Sequence, residues 1–396
     1  MSLSMAQARS RIAACAELKA FIALSAEEGA SPIVAVKDMI DVAGMSTTRG
    51  TRLALAPAQQ DAEVVARIRE AGGAIIGKTN LQPWAFGVAS TNPWWGDVGH
   101  PRDPAHVPGG SSGGSAVAVA TGMCDWALGT DTGGSVRLPA ALCGTVGFKP
   151  SYDAISVTGV VPLAASLDCV GIFARDVATA TAAFGICTGQ ALPLPPPSID
   201  RPLRLAVPEG WVDALEPPVA AMWAKLSPGF GRVRLPERAA LARWAMVILL
   251  AEAAMFHRET LAAHPEAYSA DVRMALQRGL ATTPAHYEEA CQARREAIQA
   301  VASAMSSLDA LVLPTVGRTA PARGVAIRDK EFTRYTLPFN LTGQPAISIP
   351  VPVDGWPVGL QLVGRAGQDM ALLEAAARLE RSLPDGLAKR TSWRAA

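Results

Sequence analysis

Short apolar, β-branched runs alternate along this chain with segments of helical period, and that alternation constrains the fold more tightly than any single motif. Ile33-Val34-Ala35-Val36 is one such run and Ala74-Ile75-Ile76 another. Between them, residues 61–71 (DAEVVARIREA) space apolar side chains at i, i+3 and i+4, the period of an amphipathic helix. Gly72-Gly73 ends it. Residues 5–28 read as an Ala-rich helix, 80–108 as an irregular stretch rich in Pro and Trp, 115–122 as helix, 124–130 as strand and 135–143 as helix. Farther on come a strand at 203–207, helices near 216–226, 237–263 and 284–307, strands at 309–313, 346–351 and 358–363, and a last helix at 369–381. Strands alternating with helices predict an α/β fold, a sheet covered by helices on both faces.

At 396 residues the chain has room for two or three domains of about 150 residues, or for one large α/β domain. The tract Leu192 to Pro202 holds five prolines and is the best connector. The expected organisation is a single domain over 5–396 with an internal connector at 191–202. Residues 1–4 read as an expression scar ahead of a natural start at Met5. Lys and Arg outnumber Asp and Glu by only 36 to 35, so no bulk field favours nucleic acid or an acidic membrane surface. The longest apolar stretch, Trp244 to Phe256, is 13 residues with Glu252 inside it. A bilayer span needs about 20. No apolar leader segment opens the chain. Six cysteines form no CxxC pair and no Cys/His cluster at metal spacing, and read as reduced thiols of a cytoplasmic protein. No cofactor and no metal are expected.

Two literal motif matches fail on context. Gly72-Gly73-Ala74-Ile75-Ile76-Gly77-Lys78-Thr79 satisfies the Walker A pattern, but a helix precedes it and its own middle is the strand, the reverse of a phosphate loop. Gly110-Ser111-Ser112-Gly113-Gly114 satisfies G-x-S-x-G, yet His257, His264 and His286 offer no distinguishing context for its histidine.

The informative region holds PGGSSGGSA at 108–116 and GTDTGGSVRLPAALCG at 129–144. One glycine cluster would be an ordinary tight turn. Two clusters at strand–helix junctions, each ending in serine, leave free N–H donors and positive helix ends facing one place. Acyl transfer needs that arrangement for its oxyanion. A serine nucleophile also needs a base. Lys37 ends the apolar run 33–36, so it should be partly buried, and desolvation would lower its pKa towards neutrality. An ion pair with Asp38 or Asp41 is the competing reading.

Together these segments resemble the amidase signature family, and in particular its shorter amidases of small amides. The resemblance runs through VAVKDMIDVAGMSTTRGT (34–51), DAEVVARIREAGGAIIGKTN (61–80), NPWWG (92–96), both glycine–serine clusters, VTGVVPLAASLDCVGIFARDV (157–177), DALVLPT (309–315) and NLTGQPAISIPVP (340–352). It implies Lys37 as catalytic lysine, Ser111 as a bridging serine that follows a cis peptide bond, and Ser135 as nucleophile. It implies an oxyanion hole from the amides of Thr132, Gly133, Gly134 and Ser135, with Ser112, Asp131 and Arg137 in support. The fold implied is a single large twisted mixed sheet covered by helices on both faces, its segments at 340–363 pairing with the N-terminal half. The activity implied is hydrolysis of a small carboxylic amide to acid and ammonia or amine through a serine acyl-enzyme. The expected partner is a small-molecule amide, with no nucleic acid and no membrane, and a homodimer is admissible.

Some positions depart from the family pattern. Pro83 precedes Trp84 where many members have an acidic residue, and His100 stands where some have Asn. Both flank the expected pocket mouth, and Trp84, Trp94 and Trp95 either line it or pack an irregular loop. The alternative function is the A subunit of a glutamyl-tRNA(Gln) amidotransferase, a glutaminase acting with partner subunits. Those subunits carry an acidic residue about seven positions before the Asn of NLxGxP; here that position is Thr333, ahead of Asn340, with Glu331 close by.

Overall fold

In the computed structural model, which describes residues 3–190 and 201–383, strand alternation decides how the layers form. Val34 and Val36 enter one core with Ile75 and Leu128, while Ile33 and Ala35 enter another with Ile76 and Ala127. A strand buried on both sides reads as a continuous apolar run for this reason. The strands are β1 (Phe21–Leu24), β2 (Ala30–Lys37), β3 (Gly73–Thr79), β4 (Trp126–Asp131), β5 (Val146–Lys149), β6 (Cys169–Ala174), β7 (Leu205–Pro208), β8 (Gly231–Val233), β9 (Ala310–Pro314), β10 (Ala346–Val351) and β11 (Val358–Val363). They make one 11-stranded mixed sheet in the order β1-β3-β2-β4-β6-β5-β10-β11-β9-β7-β8. β2 runs parallel to β3 and β4, and β10 pairs antiparallel with both β5 and β11.

The helices are α1 (Met5–Ala14), α2 (Glu63–Glu70), α3 (Gly113–Ala120), α4 (Arg137–Cys143), α5 (Val177–Thr188), α6 (Pro217–Leu226), α7 (Arg238–Ala263), α8 (Ala270–Leu280), α9 (Pro284–Ala304), α10 (Asp329–Phe332), α11 (Leu337–Leu341) and α12 (Asp369–Ser382). Val64 and Ile68 of α2, Val177 of α5 and Leu372 of α12 cover the Val34 face. Val117 of α3 and Ala140 of α4 cover the Ile33 face. The expected α/β sheet with helices on both faces is the fold observed.

The expected helix over 5–28 is corrected. α1 stops at Ala14, Lys19 turns the chain at φ 49°, and Phe21 begins a strand that pairs antiparallel with β3. Strands β5, β6 and β8 and helices α5, α8, α10 and α11 have no counterpart in the sequence reading. The proline tract falls mostly in 191–200, outside the described residues, but strands from both sides of it share the one sheet. Helix α7, at 26 residues, is long and apolar enough to cross a bilayer, where the sequence suggested only a short run. It packs on α8 and α9, with Leu241, Ala245, Ile248 and Leu249 in a core. All six cysteines are free thiols.

Candidate active site

β2 ends at Lys37, whose side chain leaves on the face of Ile33 and Ala35 by strand alternation. Lys37 is fully buried. Its Nζ lies 2.8 Å from Ser111 Oγ and 2.7 Å from Thr130 Oγ1. Burial pushes this amine down to about 7, against the opposing pull of the Asp131 and Asp168 carboxylates. A neutral lysine, and hence a base, is therefore well populated near neutral pH. The ion pair with Asp38 or Asp41 does not form. Asp38 pairs with the equally buried Lys78 at 3.0 Å, and Asp41 accepts from the Thr47 hydroxyl at 2.6 Å.

The first glycine–serine cluster brings the chain before α3 under Lys37. The Gly110–Ser111 peptide bond is cis, and the Ser111 carbonyl accepts from the Gln82 amide at 3.0 Å. Gly114 is required by close approach: a Cβ there would lie 2.3 Å from the Asn80 carbonyl oxygen and 2.5 Å from that of Ala20. Ser112 joins the two clusters, its amide donating to the Ser135 carbonyl at 3.3 Å and its hydroxyl to the Thr130 carbonyl at 3.2 Å. That hydroxyl is not a nucleophile served by histidine. His257, His264 and His286 contact Tyr268, Glu266 and Glu289 instead.

The second cluster follows β4. Asp131, at the strand end, folds the loop back on itself. It accepts from the amides of Gly134 at 2.8 Å and Val136 at 3.1 Å and from the Arg137 guanidinium at 2.8 and 3.0 Å. Burial alone would raise this carboxyl, but the Arg137 charge, with Lys149 and Asn340, outweighs it and holds Asp131 well below the usual carboxylate range. The Gly134 amide is thereby consumed by Asp131, which corrects the expectation that it donates to an oxyanion. Among the described residues, the amides of Thr132, Gly133 and Ser135 make no hydrogen bond and remain for that task. Ser135 keeps 9% of its surface exposed, and its hydroxyl makes no hydrogen bond, to Ser111 or to any other described residue.

Several supporting residues escaped the sequence reading. Thr130 is the second partner of Lys37. The Thr132 hydroxyl donates to Asp168 at 2.5 Å, and the other Asp168 oxygen takes the Leu163 and Ala164 amides at 2.8 and 3.1 Å. Burial pushes Asp168 up to about 6. The Thr336 hydroxyl holds the Gly133 carbonyl at 2.6 Å, and Asn340 and Gln361 complete the sphere around Arg137 at 2.7 and 2.8 Å. His100 is fully buried, with Nε2 2.9 Å from the Leu142 carbonyl at the end of α4. Trp84 is buried against Tyr268, and the Trp95 indole donates to the Thr51 carbonyl at 2.9 Å. Among the described residues, no three His, Cys, Asp or Glu side chains converge as metal ligands.

A buried amine on one serine, a second serine with a free hydroxyl, and unpaired amides around it form a group suited to acyl transfer. The chain is 33% identical over 451 aligned positions to the glutamyl-tRNA(Gln) amidotransferase A subunit of Synechococcus sp. (strain RCC307), covering 95% of this chain and 93% of that protein. It is 42% identical to the indoleacetamide hydrolase of Pseudomonas syringae pv. syringae, over 46% of this chain and 41% of that one. Among solved structures it resembles an amidase at a TM-score of 0.90 and 34% identity, covering 96% of this chain and 95% of the other. The Thermotoga maritima glutamyl-tRNA(Gln) amidotransferase A subunit matches at a TM-score of 0.82 and 32% identity, over 96% and 91% of the two chains. With the amidase family model matching residues 32–223 and 232–373, the chain belongs to the amidase signature family and is a hydrolase of carbon–nitrogen bonds.

Proposed function

We propose that this protein hydrolyses a small carboxylic amide through an acyl-enzyme on Ser135, with Lys37 as base and Ser111 as relay. Neutral Lys37 takes the Ser111 proton while Ser111 takes that of Ser135. The Ser135 oxygen bonds to the amide carbon. The Thr132, Gly133 and Ser135 amides stabilise the oxyanion, each donor contributing roughly 3 kcal/mol. The C–N bond then breaks and the relay returns its proton to the leaving nitrogen. Water repeats the route on the ester and releases the acid. The observation that carries this reading is the buried Lys37 amine at 2.8 Å from the hydroxyl of Ser111. The Ser111–Ser135 contact it requires is of a kind that often tightens only in the substrate complex. A cytoplasmic setting fits the free thiols.

A second reading, the glutaminase component of an amidotransferase, draws support from the 33% identity over 95% of the chain. Thr333 argues for the stand-alone amidase. On the family pattern it stands about seven positions before Asn340, where those subunits carry an acidic residue, with Glu331 two positions earlier; its methyl lies 4.0 Å from where a Gly133 Cβ would be, beside the unpaired amides.

Ammonia release from a panel of aliphatic, aromatic and amino-acid amides, glutamine included, tests both. Turnover by the chain alone, abolished in Ser135→Ala and Lys37→Ala, supports the first reading. Full activity in either variant overturns it, and glutamine turnover that needs added partner subunits favours the second. A serine-reactive phosphonate should label Ser135; label on Ser112 would discard the assignment.

A further inference from the structure

Arg49 is a partly buried cation that makes no ion pair among the described residues, although the Asp41 and Asp38 charges act on it. Its amide donates to the Asp38 carbonyl at 3.1 Å and its carbonyl accepts from the Trp84 amide at 2.9 Å. It therefore sits by the C-terminal ends of β2 and β3, where Lys37 also emerges. Its backbone is left-handed, at φ 61°, a strained choice for a residue with a Cβ. Its Nε is buried without a partner, and no guanidinium nitrogen makes a hydrogen bond among the described residues. Burial pushes the guanidinium down from its ordinary value. The nearest carboxylates are committed elsewhere: Asp38 to Lys78 and the Thr48 hydroxyl, Asp41 to the Thr47 hydroxyl. What the cation does touch is the Trp84 ring, 5.3 Å away.

A second buried polar atom without a partner stands in the same cluster. His257 is fully buried, its Nδ1 lies 3.0 Å from the Tyr268 hydroxyl, and its Nε2 has no partner. Burial, then the Arg49 charge, pushes this imidazole down to about 4, so it is neutral. A neutral imidazole carries one ring proton, so Nε2 is left without a partner whichever nitrogen holds it. One positive charge with an unmatched Nε–H, and an unpartnered imidazole nitrogen, thus flank the stacked rings of Trp84 and Tyr268. Buried polar groups left unpaired call for a partner. The site also connects to the reaction centre. Phe86 packs against the Trp84–Tyr268 cluster and against the cluster of Leu337, the side chain nearest Gly133.

We propose that Arg49 receives a carboxylate at the substrate's far end from the scissile amide, so that the preferred substrates are monoamides of small dicarboxylic acids. A planar guanidinium matches a carboxylate with two parallel hydrogen bonds. The proposal rests on the amide-hydrolysis reading, and its test separates the two.

Steady-state kinetics of the full chain on succinamic and glutaramic acids and on their methyl esters give the acid-to-ester ratio of kcat/KM for each pair. The wild-type ratio should exceed about tenfold, the worth of one charge-assisted pair. In Arg49→Met it should fall to near one, chiefly through KM for the acid, and Arg49→Lys should keep part of it. A wild-type ratio near one, or equal losses on acid and ester in Arg49→Met, overturns the proposal and leaves amide hydrolysis standing. If no amide is turned over, calorimetry with succinate decides: binding lost in a folded Arg49→Met supports the site, and binding retained removes it.

Discussion

Arg137 grips Asp131 with two contacts, Nη2 to Oδ1 at 2.8 Å and Nε to Oδ2 at 3.0 Å, and neither side chain reaches solvent. The same carboxylate orients the Gly134 and Val136 amides, so the ion pair shapes the loop that presents Ser135. Arg137→Ala leaves a carboxylate buried and uncompensated, and the expected loss is about 3–5 kcal/mol of stability. Arg137→Lys should recover only part of it, since a lysine cannot make the paired contact. Urea unfolding midpoints measure both. An Arg137→Ala midpoint equal to that of the wild type would mean that the loop stands without the pair.

Lys37 titrates at about 7 when buried, below the ordinary lysine value of 10.5. On the proposed mechanism kcat/KM should rise with pH through an apparent pKa near 7, because the neutral amine is the base. The stability effect has a definite sign. Between about 7 and the unfolded lysine pKa, the unfolded chain binds a proton that the folded chain does not, so burying Lys37 destabilises, most at low pH, and the penalty fades as pH rises. Lys37→Met should therefore lose turnover yet melt no lower than the wild type at pH 6, with the gap between them narrowing towards pH 10. A variant that melts well below the wild type at pH 6 contradicts an uncompensated lysine.

Burial of Lys37 was legible because the run 33–36 has no polar position, which is the mark of a strand covered on both faces. The glycine–serine clusters were legible as backbone approach sites because glycine answers to local sterics. Thr130, Asp168, Thr336, Asn340 and Gln361 were not. They reach the site by tertiary contact (Arg137 meets Gln361 across 224 positions), and no short-range pattern encodes that distance. Gly134 could have been read. An Asp at a strand end readily takes the N–H of a residue two or three positions on, as an N-cap carboxylate does, and Asp131 does this to Gly134. The helix expected over 5–28 failed because alanine-rich composition masked Phe21-Ile22, a β-prone pair with a sheet edge to join.

The two loop glycines should respond differently to alanine. A Cβ on Gly134 would lie 2.3 Å from the Thr336 hydroxyl, at φ 131°, so Gly134→Ala should unfold the loop or cost about 2 kcal/mol or more. A Cβ on Gly133 meets Leu337 Cδ1 at 3.3 Å and the Thr333 methyl at 4.0 Å, ordinary or near-ordinary contacts with side-chain ends. Gly133→Ala should fold with a melting temperature near that of the wild type, and any loss should appear in kcat. Equal melting temperatures for the two variants would contradict the close packing of Thr336 on Gly134.

Lys78 ends the Walker-like pattern, but its ammonium is spent on Asp38, at 3.0 Å with both side chains fully buried. Burial pushes the Lys78 amine down, against the pull of Asp38. Asp38 is further held by the Thr48 hydroxyl and the Gly50 amide, the loop that carries Arg49. A lysine enclosed in this way has no reach to a phosphate, so ATP with magnesium should leave the melting temperature unchanged. Removing the amine alone, in Lys78→Met, strands a buried carboxylate and should lose about 3–5 kcal/mol. Removing both charges, in Lys78→Met with Asp38→Asn, should lose less than Lys78→Met alone. Chemical denaturation of the two variants decides the matter: additive losses would mean that Lys78 and Asp38 act independently, and nucleotide-dependent stabilisation would restore the phosphate-loop reading.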